Sequence, residues 1–173
     1  SVDAMSTRPI IVGLIASLSL VNGAGQETSK ALRVVGYYAD WTAARYPLAE
    51  IPADKLTHVN YAFGKIGPDN RLTWNASAAV EHVYPGDCAE AGCPHGLFNQ
   101  IRLLREKHPH VKFLMSVGGW TDSAPFYGMA ASESTRHTFA ESCADFLKAY
   151  PQFEGIDIDW EHPVAGGLQP GQP

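Results

Sequence analysis

The chain has 173 residues, 45% of them hydrophobic and 18% charged, a balance typical of one soluble globular domain and not of a disordered chain. Its formal net charge is −5 and its 13 Lys and Arg residues form no basic run. This composition argues against nucleic acid or an anionic membrane surface as a partner.

The N-terminal segment has the layout of a secretory signal peptide. Arg8 precedes an uncharged, largely apolar stretch from 10 to 21, and small residues follow at 23–25. As a helix this stretch would be about 18 Å long, short of the roughly 30 Å of a bilayer core, so a membrane span is the weaker interpretation. We therefore expect residues 1–25 to be a signal peptide with its leading residues, and the protein to be secreted and extracellular.

Four segments are rich in Val, Tyr, Phe and Ile, a composition that predicts β-strands. In chain order they are 32–41, 56–66, 111–120 and 153–163. Apolar residues at helical spacing predict one helix around 97–104 and a second from 139 to 150, which Pro151 ends. Strands that alternate with helices in this way predict βαβ units, a parallel sheet and helices packed outside it.

The long connection from Gly67 to Gly96 has no strong periodicity, and loops of this length are either functional or carry small extra elements. It contains an N-glycosylation sequon at Asn75, which matters only in a host that glycosylates secreted proteins. Cys88 and Cys93 enclose the short loop "CAEAGC", which predicts a disulfide in an oxidising compartment. The neighbouring histidines leave a zinc site as an alternative, although the paired CxxC pattern of structural zinc is missing.

The last predicted strand, "FEGIDIDWEHP", carries acidic residues at every second position. Since alternate side chains of a strand share a face, Asp157, Asp159 and Glu161 lie on one face and apolar residues on the other. Carboxylates this close repel one another, so we expect such a ladder to serve a chemical purpose. For an isolated motif of this kind, a Mg²⁺, Ca²⁺ or Mn²⁺ site is the alternative interpretation.

Parallel sheets place their chemistry at the carboxyl ends of the strands, where the connecting loops converge. Here the predicted strands end in aromatic, small and acidic residues, which together suit a sugar site. These residues are Tyr37, Trp41, Phe63, Gly118, Gly119, Trp120 and Glu161.

Two motifs carry a resemblance to a known family. "EGIDIDWE" matches the pattern DxxDxDxE except that Glu154 replaces the first Asp, and "SVGG" at 116–119 matches SxGG. With "VVGYYADW" and "NYAF", the segment from Arg33 to Pro163 resembles the N-terminal half of a glycoside hydrolase family 18 chitinase. The resemblance implies an α/β fold, the (β/α)8 TIM barrel, with only about the first four βα units in residues 32–173, so we expect a truncated catalytic domain.

The resemblance also implies a mechanism. Glu161 would act as the general acid and base, and the 2-acetamido group of the sugar would be the nucleophile, so that the configuration is retained. Asp159 would orient the acetamido group, and Asp157 would share a proton with Asp159. Ser116 would support Asp157 by a hydrogen bond, as would Tyr37. The implied substrate-binding residues are Tyr37, Phe63, Gly119 and Trp120.

The resemblance implies chitin or chitooligosaccharides as the partner, with no cofactor and no metal. Two other functions remain open at the level of sequence. One is an endo-β-N-acetylglucosaminidase, which shares the strand motif. The other is a non-catalytic chitin-binding lectin, although such a protein would lack Glu161. We also expect an isolated half barrel to hydrolyse chitooligosaccharides poorly or not at all, as an inactive fragment.

Overall fold

The frame of the molecule is a parallel β-sheet with helices on one side. The computed structural model describes residues 32–88, 90 and 92–168, so the predicted signal peptide at 1–25 lies outside the described residues. The parallel strands are β1 (Val35–Ala39), β2 (His58–Ile66), β4 (Lys112–Gly118) and β5 (Gly155–Asp159), and a short β3 (Leu72–Thr73) pairs antiparallel with β2. The helices are α1 (Leu97–Lys107), α2 (Pro125–Ala130) and α3 (Glu133–Ala149).

The spatial order of the parallel strands is β1–β2–β4–β5, which is also their order along the chain. β1 and β2 follow one another through short 3-10 turns, while α1 connects β2 to β4 and α2 and α3 connect β4 to β5. This confirms the predicted α/β fold class, its parallel sheet and both predicted helices. Within the described part of the chain, none of the helices has the length and apolar character that a bilayer crossing needs.

The strands are shorter than the sequence predicted. Trp41 lies in a 3-10 turn (Asp40–Thr42) instead of closing β1, and β4 stops at Gly118 because the backbone there turns to φ +110°. β5 ends at Asp159, so Glu161 lies beyond the strand. Each strand also begins one to three residues later than predicted, whereas the carboxyl end of β2 is at Ile66 as predicted. The errors fall at the strand ends, where the chain enters or leaves the sheet and alternation no longer determines direction.

The long connection after β2 carries small elements of its own. β3 folds back on β2, and its Leu72 N–H donates to Ser142 Oγ of α3 at 2.8 Å. A five-residue π-helix (Ser77–Glu81) follows. α2 was missed altogether, because its six residues are too short to show a periodic apolar pattern.

The predicted disulfide is present: Cys88 and Cys93 are bonded, with their Cα atoms 5.7 Å apart. Their sulfur atoms and the Glu90 carboxylate lie within 4.8 Å of one another, yet sulfurs bonded to each other cannot serve as thiolate ligands. His95 Nδ1 contacts the carbonyl oxygen of Cys93 at 2.9 Å, and the ring of His82 packs against an adjacent tyrosine. The arrangement favours the disulfide over the zinc site.

The core lies between the sheet and its helices. Tyr61 of β2 is buried against Phe98 of α1, with ring centroids 5.5 Å apart, and Phe153 packs on Phe98 at 4.9 Å. Trp74 is partly buried and joins this cluster, with its ring centroid 5.2 Å from that of Phe146. Burial of each large apolar side chain contributes roughly 1.5–3 kcal/mol, which makes this side the main source of stability.

The amino end of β5 is fixed by charge. Glu154, the residue that departs from the family pattern, forms ion pairs with Arg105 of α1 and with Lys112 at the start of β4, the latter at 3.4 Å. Arg105 also donates to the carbonyl oxygen of Gln152 at 2.9 Å. Glu154 therefore anchors the strand at the end opposite to the predicted chemistry.

Candidate active site

The carboxylate of Asp157 is held by two hydroxyl groups from distant parts of the chain. The register of β4 and β5 pairs Ser116 with Asp157, and Ser116 Oγ donates to Asp157 Oδ2 at 2.7 Å. Tyr37 of β1 donates its phenolic O–H to the same oxygen at 3.1 Å. Both hydrogen bonds were expected from the resemblance.

The contact between Tyr37 and Asp157 also reveals the shape of the sheet. β1 and β5 are separated by three strand spacings, about 14 Å in a flat sheet. Side chains standing upright on a flat sheet would not meet over that distance, so the sheet must curl around the side that bears Asp157. The acidic residues therefore lie on the inner face of a curved wall, and the helices cover its outer face.

Asp159 lies between the two other carboxylates along the chain. Its pKa is raised above the usual range, first because it is partly buried and then because Glu161 and Asp157 add negative charge nearby; His162 has the opposite, smaller effect. A carboxyl group in such surroundings keeps its proton to a higher pH than a free aspartic acid does.

Glu161 lies two residues beyond the end of β5, with its side chain 28% exposed. Its carboxylate is 3.9 Å from His162 Nε2. It lines a cavity of about 50 Å³ together with Trp120, Ser123 and Tyr127. The acid is thus partly shielded from bulk water, between the loops that follow the strand ends and the start of α2.

The glycine pair of "SVGG" allows two chain segments to approach closely. A Cβ atom on Gly118 would stand 2.4 Å from the carbonyl oxygen of Asp159, a distance that excludes any side chain. At Gly119, where φ is +77°, a Cβ atom would stand 2.8 Å from the ring of Phe63, and the Gly119 N–H donates to the carbonyl oxygen of Asp159 at 2.9 Å. The pair does more than form a tight turn, because it brings the end of β4 against the end of β5.

Aromatic rings form one side of the site. Phe63 stacks on Trp41 with centroids 6.0 Å apart and lies 6.3 Å from Tyr37. Phe63, Trp41 and Trp120 line a cavity of about 440 Å³. Its other lining residues are polar: Asp40, Lys65, Asn75, Thr121 and Asp122.

This combination of flat apolar faces and hydrogen-bonding groups suits a carbohydrate. A larger cavity of about 630 Å³ lies on the other side of Asp40 and Trp41, among residues of the 3-10 turns and α1. The three acidic ladder residues line neither of these two cavities, but Phe63 of the aromatic cavity also lies against Tyr37, which donates to Asp157.

The glycosyl hydrolases family 18 model matches residues 33–168. The chain belongs to this family. Chitinase A1 of Niallia circulans is 35% identical over 201 residues, which cover 94% of this chain and 28% of that protein.

Solved structures agree with this assignment. Chitinase ChiA74 from Bacillus thuringiensis superposes with a TM-score of 0.72 at 34% identity, covering 80% of this chain and 29% of that one. The chitinase-like agglutinin from Robinia pseudoacacia gives a TM-score of 0.59 at 27% identity, over 76% of this chain and 35% of that one. The observed strands are thus part of the (β/α)8 barrel of family 18. Because the chain spans about a third or less of each of these relatives, the activity of a whole protein does not follow from membership alone.

Two residues of this family 18 site, Asp40 and Ser123, were not identified from the sequence. Asp40, directly after β1, is buried, and burial is the main cause of its raised pKa; a hydrogen bond with Asn75 acts in the opposite direction. The sequon residue Asn75 therefore borders the aromatic cavity. Asp40 stands in the quoted "YADW" at a strand end, so its position could have identified it.

Ser123 is the second omission. It is buried beside Glu161, and nothing in a single serine after "SVGGWTD" distinguishes it. By contrast, Trp160 stacks on Phe126 at 5.3 Å on the helix side, in agreement with the alternation that put the apolar residues of this segment opposite the acids.

Proposed function

We propose that these residues belong to a retaining chitinase, an enzyme that hydrolyses β-1,4-N-acetylglucosamine linkages with Glu161 as general acid and base. The observation that carries the proposal is the ladder from Asp157, whose carboxylate accepts hydrogen bonds from Tyr37 and Ser116, through Asp159, whose pKa burial raises, to Glu161 beyond the strand end. Family membership adds the substrate class, since similar proteins are named chitinases.

The first step breaks the glycosidic bond. Glu161 donates its proton to the leaving oxygen while the acetamido carbonyl oxygen of the same sugar attacks the anomeric carbon, giving an oxazolinium ion. Asp159 accepts a hydrogen bond from the acetamido N–H and offsets the positive charge that develops there. Asp157 shares a proton with Asp159, so that Asp159 can carry a negative charge when the acetamido group becomes positive.

The second step restores the enzyme. A water molecule gives a proton to the Glu161 carboxylate and attacks the anomeric carbon, so that the oxazolinium ring opens and the configuration is retained. Ordinary retaining glycosidases flank the sugar with two carboxylates about 5–5.5 Å apart. Here all three acids come from β5 and the residues directly after it and approach the sugar from one side, which favours the acetamido group as nucleophile.

The aromatic wall supports an oligomeric substrate. The cavity lined by Trp41, Phe63 and Trp120 adjoins the acidic ladder, because Phe63 also contacts Gly119 and Tyr37. A single sugar at the acid would leave this cavity empty, whereas a chitooligosaccharide would extend into it. Exposed tryptophan faces cover the apolar C–H faces of successive sugar rings.

We also propose that the protein is secreted. The Cys88–Cys93 disulfide is of a kind that persists in oxidising compartments, and it agrees with the signal-type pattern at 1–25. Chitin itself is an extracellular polymer, so the location and the proposed substrate are consistent.

The test is a comparison of the full-length protein containing these residues with its Glu161→Gln variant, on chitooligosaccharides. Glutamine keeps the size of the side chain but cannot donate the proton, so we expect kcat to fall about 100- to 10,000-fold. NMR of the first product should show the β-anomer, as retention requires. An initial α-anomer, or turnover unchanged in Glu161→Gln, would overturn the mechanism.

A lectin is the second candidate, because one similar structure is described as a chitinase-like agglutinin. The intact Glu161 argues against it. Binding of chitooligosaccharides without turnover by the wild-type protein would favour the lectin. Turnover of glycoprotein glycans in preference to chitooligosaccharides would instead favour an endo-β-N-acetylglucosaminidase.

A further inference from the structure

One buried hydroxyl group joins the two loops that form the acid end of the site. Ser123 is 4% exposed and stands just before α2. Its Oγ accepts the backbone N–H of Glu161 at 2.8 Å. The same Oγ lies 2.8 Å from the carbonyl oxygen of Gly119 and 3.2 Å from that of Asp159, either of which can accept its proton. A single side chain therefore connects the glycine turn to the backbone on both sides of Trp160.

Glu161 needs such a contact because the sheet no longer holds it. β5 ends at Asp159, and the last registered pair with β4 is Gly118 with Asp159. Beyond that pair β4 has ended and offers the N–H of Glu161 no carbonyl oxygen, and among the described residues Ser123 Oγ accepts this N–H instead.

Ser123 is itself held in place by α2. The N–H of Phe126 donates to the Ser123 carbonyl oxygen at 3.1 Å. The rings of Phe126 and Tyr127 pack on the indole of Trp160, with centroids 5.3 and 5.2 Å away. The segment from Asp159 to Glu161 is thus held in two ways. The Ser123 hydroxyl group bonds its backbone, and the rings of Phe126 and Tyr127 pack on the side chain of Trp160.

We propose that Ser123 is a positioning residue that fixes the backbone of Glu161 and so aims the acid at the leaving oxygen. This role rests on the proposed function of Glu161. Without the Ser123 hydroxyl group, the N–H of Glu161 loses the hydrogen bond that takes the place of a sheet hydrogen bond. The carboxyl group of Glu161 then shifts relative to Asp159. A displacement of about 1 Å at a reacting group can cost about 100-fold in rate, while the aromatic wall that binds sugar is unaffected.

The experiment measures kcat and KM of Ser123→Ala on chitooligosaccharides in the full-length protein containing these residues. We expect kcat to fall about 10- to 100-fold and KM to change by less than about threefold. Ser123→Cys keeps the shape of the side chain but offers only a weak donor and acceptor, so kcat should be intermediate. If Ser123→Ala does not fold, Ser123→Cys decides the question.

Ser142 supplies a matched control. It is also buried, 6% exposed, and its Oγ likewise accepts one backbone N–H, from Leu72 at 2.8 Å, and donates to one carbonyl oxygen, of Phe139 at 2.7 Å. It lies on α3, on the helix side of the sheet. Ser142→Ala should lower Tm about as much as Ser123→Ala does, while leaving kcat within about twofold of wild type.

The outcomes separate the two claims. A loss of kcat in Ser123→Ala that exceeds the loss in Ser142→Ala at equal Tm supports the positioning role. The positioning role is overturned if the two variants have equal kcat, or if Ser123→Ala fails to fold and Ser123→Cys has the kcat of wild type. In either case a loss of kcat in Glu161→Gln still supports the proposed function. If the wild-type protein does not turn over chitooligosaccharides at all, both claims fail.

Discussion

The two faces of the same sheet are built for different purposes. On the outer face Tyr61, Phe113 and Met115 are fully buried against the helices. On the inner face Tyr37 is 57% exposed, and Asp157 and Asp159 keep part of their surface in contact with solvent. Both faces come from the same strands through alternation, which a register shift between Ala62 and Gly64 of β2 interrupts so that Phe63 lies on the inner face. The comparison teaches that residue parity separates stability from chemistry along the regular parts of the strands, where a substitution one position along should change a different property.

The largest expected effect on stability comes from the outer face. Phe98 contacts both Tyr61 and Phe153, and Phe98→Ala should lower the free energy of unfolding by about 3–5 kcal/mol, because it leaves a cavity in a packed aromatic cluster. The matched change on the inner face is Phe63→Ala, which removes a partly exposed ring. We expect it to cost less than half as much stability and to raise KM instead. Equal losses in denaturant titrations of the two variants would contradict the separation of the faces.

An intermediate effect, on kcat/KM, is expected from removing either of the two hydroxyl groups that donate to Asp157. Ser116 is fully buried and its bond is 2.7 Å long, whereas Tyr37 is exposed and its bond is 3.1 Å long. Hydrogen bonds to charged groups contribute about 1.5–3 kcal/mol, so Ser116→Ala should lower kcat/KM by about 10- to 100-fold. Tyr37→Phe should lower it by less, near the bottom of that range. If Tyr37→Phe lowers kcat/KM more than Ser116→Ala does, the length of the hydrogen bond to Asp157 does not determine how much each hydroxyl group contributes.

The smallest expected effect is the pH dependence of stability at Asp159. Its folded-state pKa is raised above 3.8, mainly by burial, so the folded protein binds this proton more tightly than the unfolded chain does. The resulting stabilisation of the protonated form is fully present below the unfolded pKa, and it is lost as the pH rises through the folded pKa.

Asp159→Asn removes this cost of ionisation. The variant should therefore be slightly more stable than wild type near pH 7, and the difference should disappear below about pH 3.8. Urea titrations of both proteins at several pH values measure this change. A variant less stable than wild type at pH 7 and equal to it at low pH would mean that the ionised carboxylate is stabilising and that the sign is wrong.

Much of the fold and of the ladder followed from local patterns. The alternation in "GIDIDWE" determined which side chains share a face, and helical spacing located α1 and α3, because both periodicities depend only on backbone geometry. Strand ends, the short α2 and the core position of Trp74 did not follow. A strand end depends on where the neighbouring strand stops, and a tryptophan packs wherever a cavity of the right shape is available.

The sequence by itself thus determined the class of the fold, the acidic face of β5 and the aromatic and glycine residues at the strand ends. Only the tertiary structure decided which of these groups meet: Tyr37 reaches Asp157 across 120 residues of chain because the sheet curls. Ser123 comes to bond Glu161 only because α2 packs on Trp160. The physical reason is that periodicity fixes the direction of a side chain within its own element, whereas contacts between elements depend on register, curvature and packing, which no local stretch of sequence specifies.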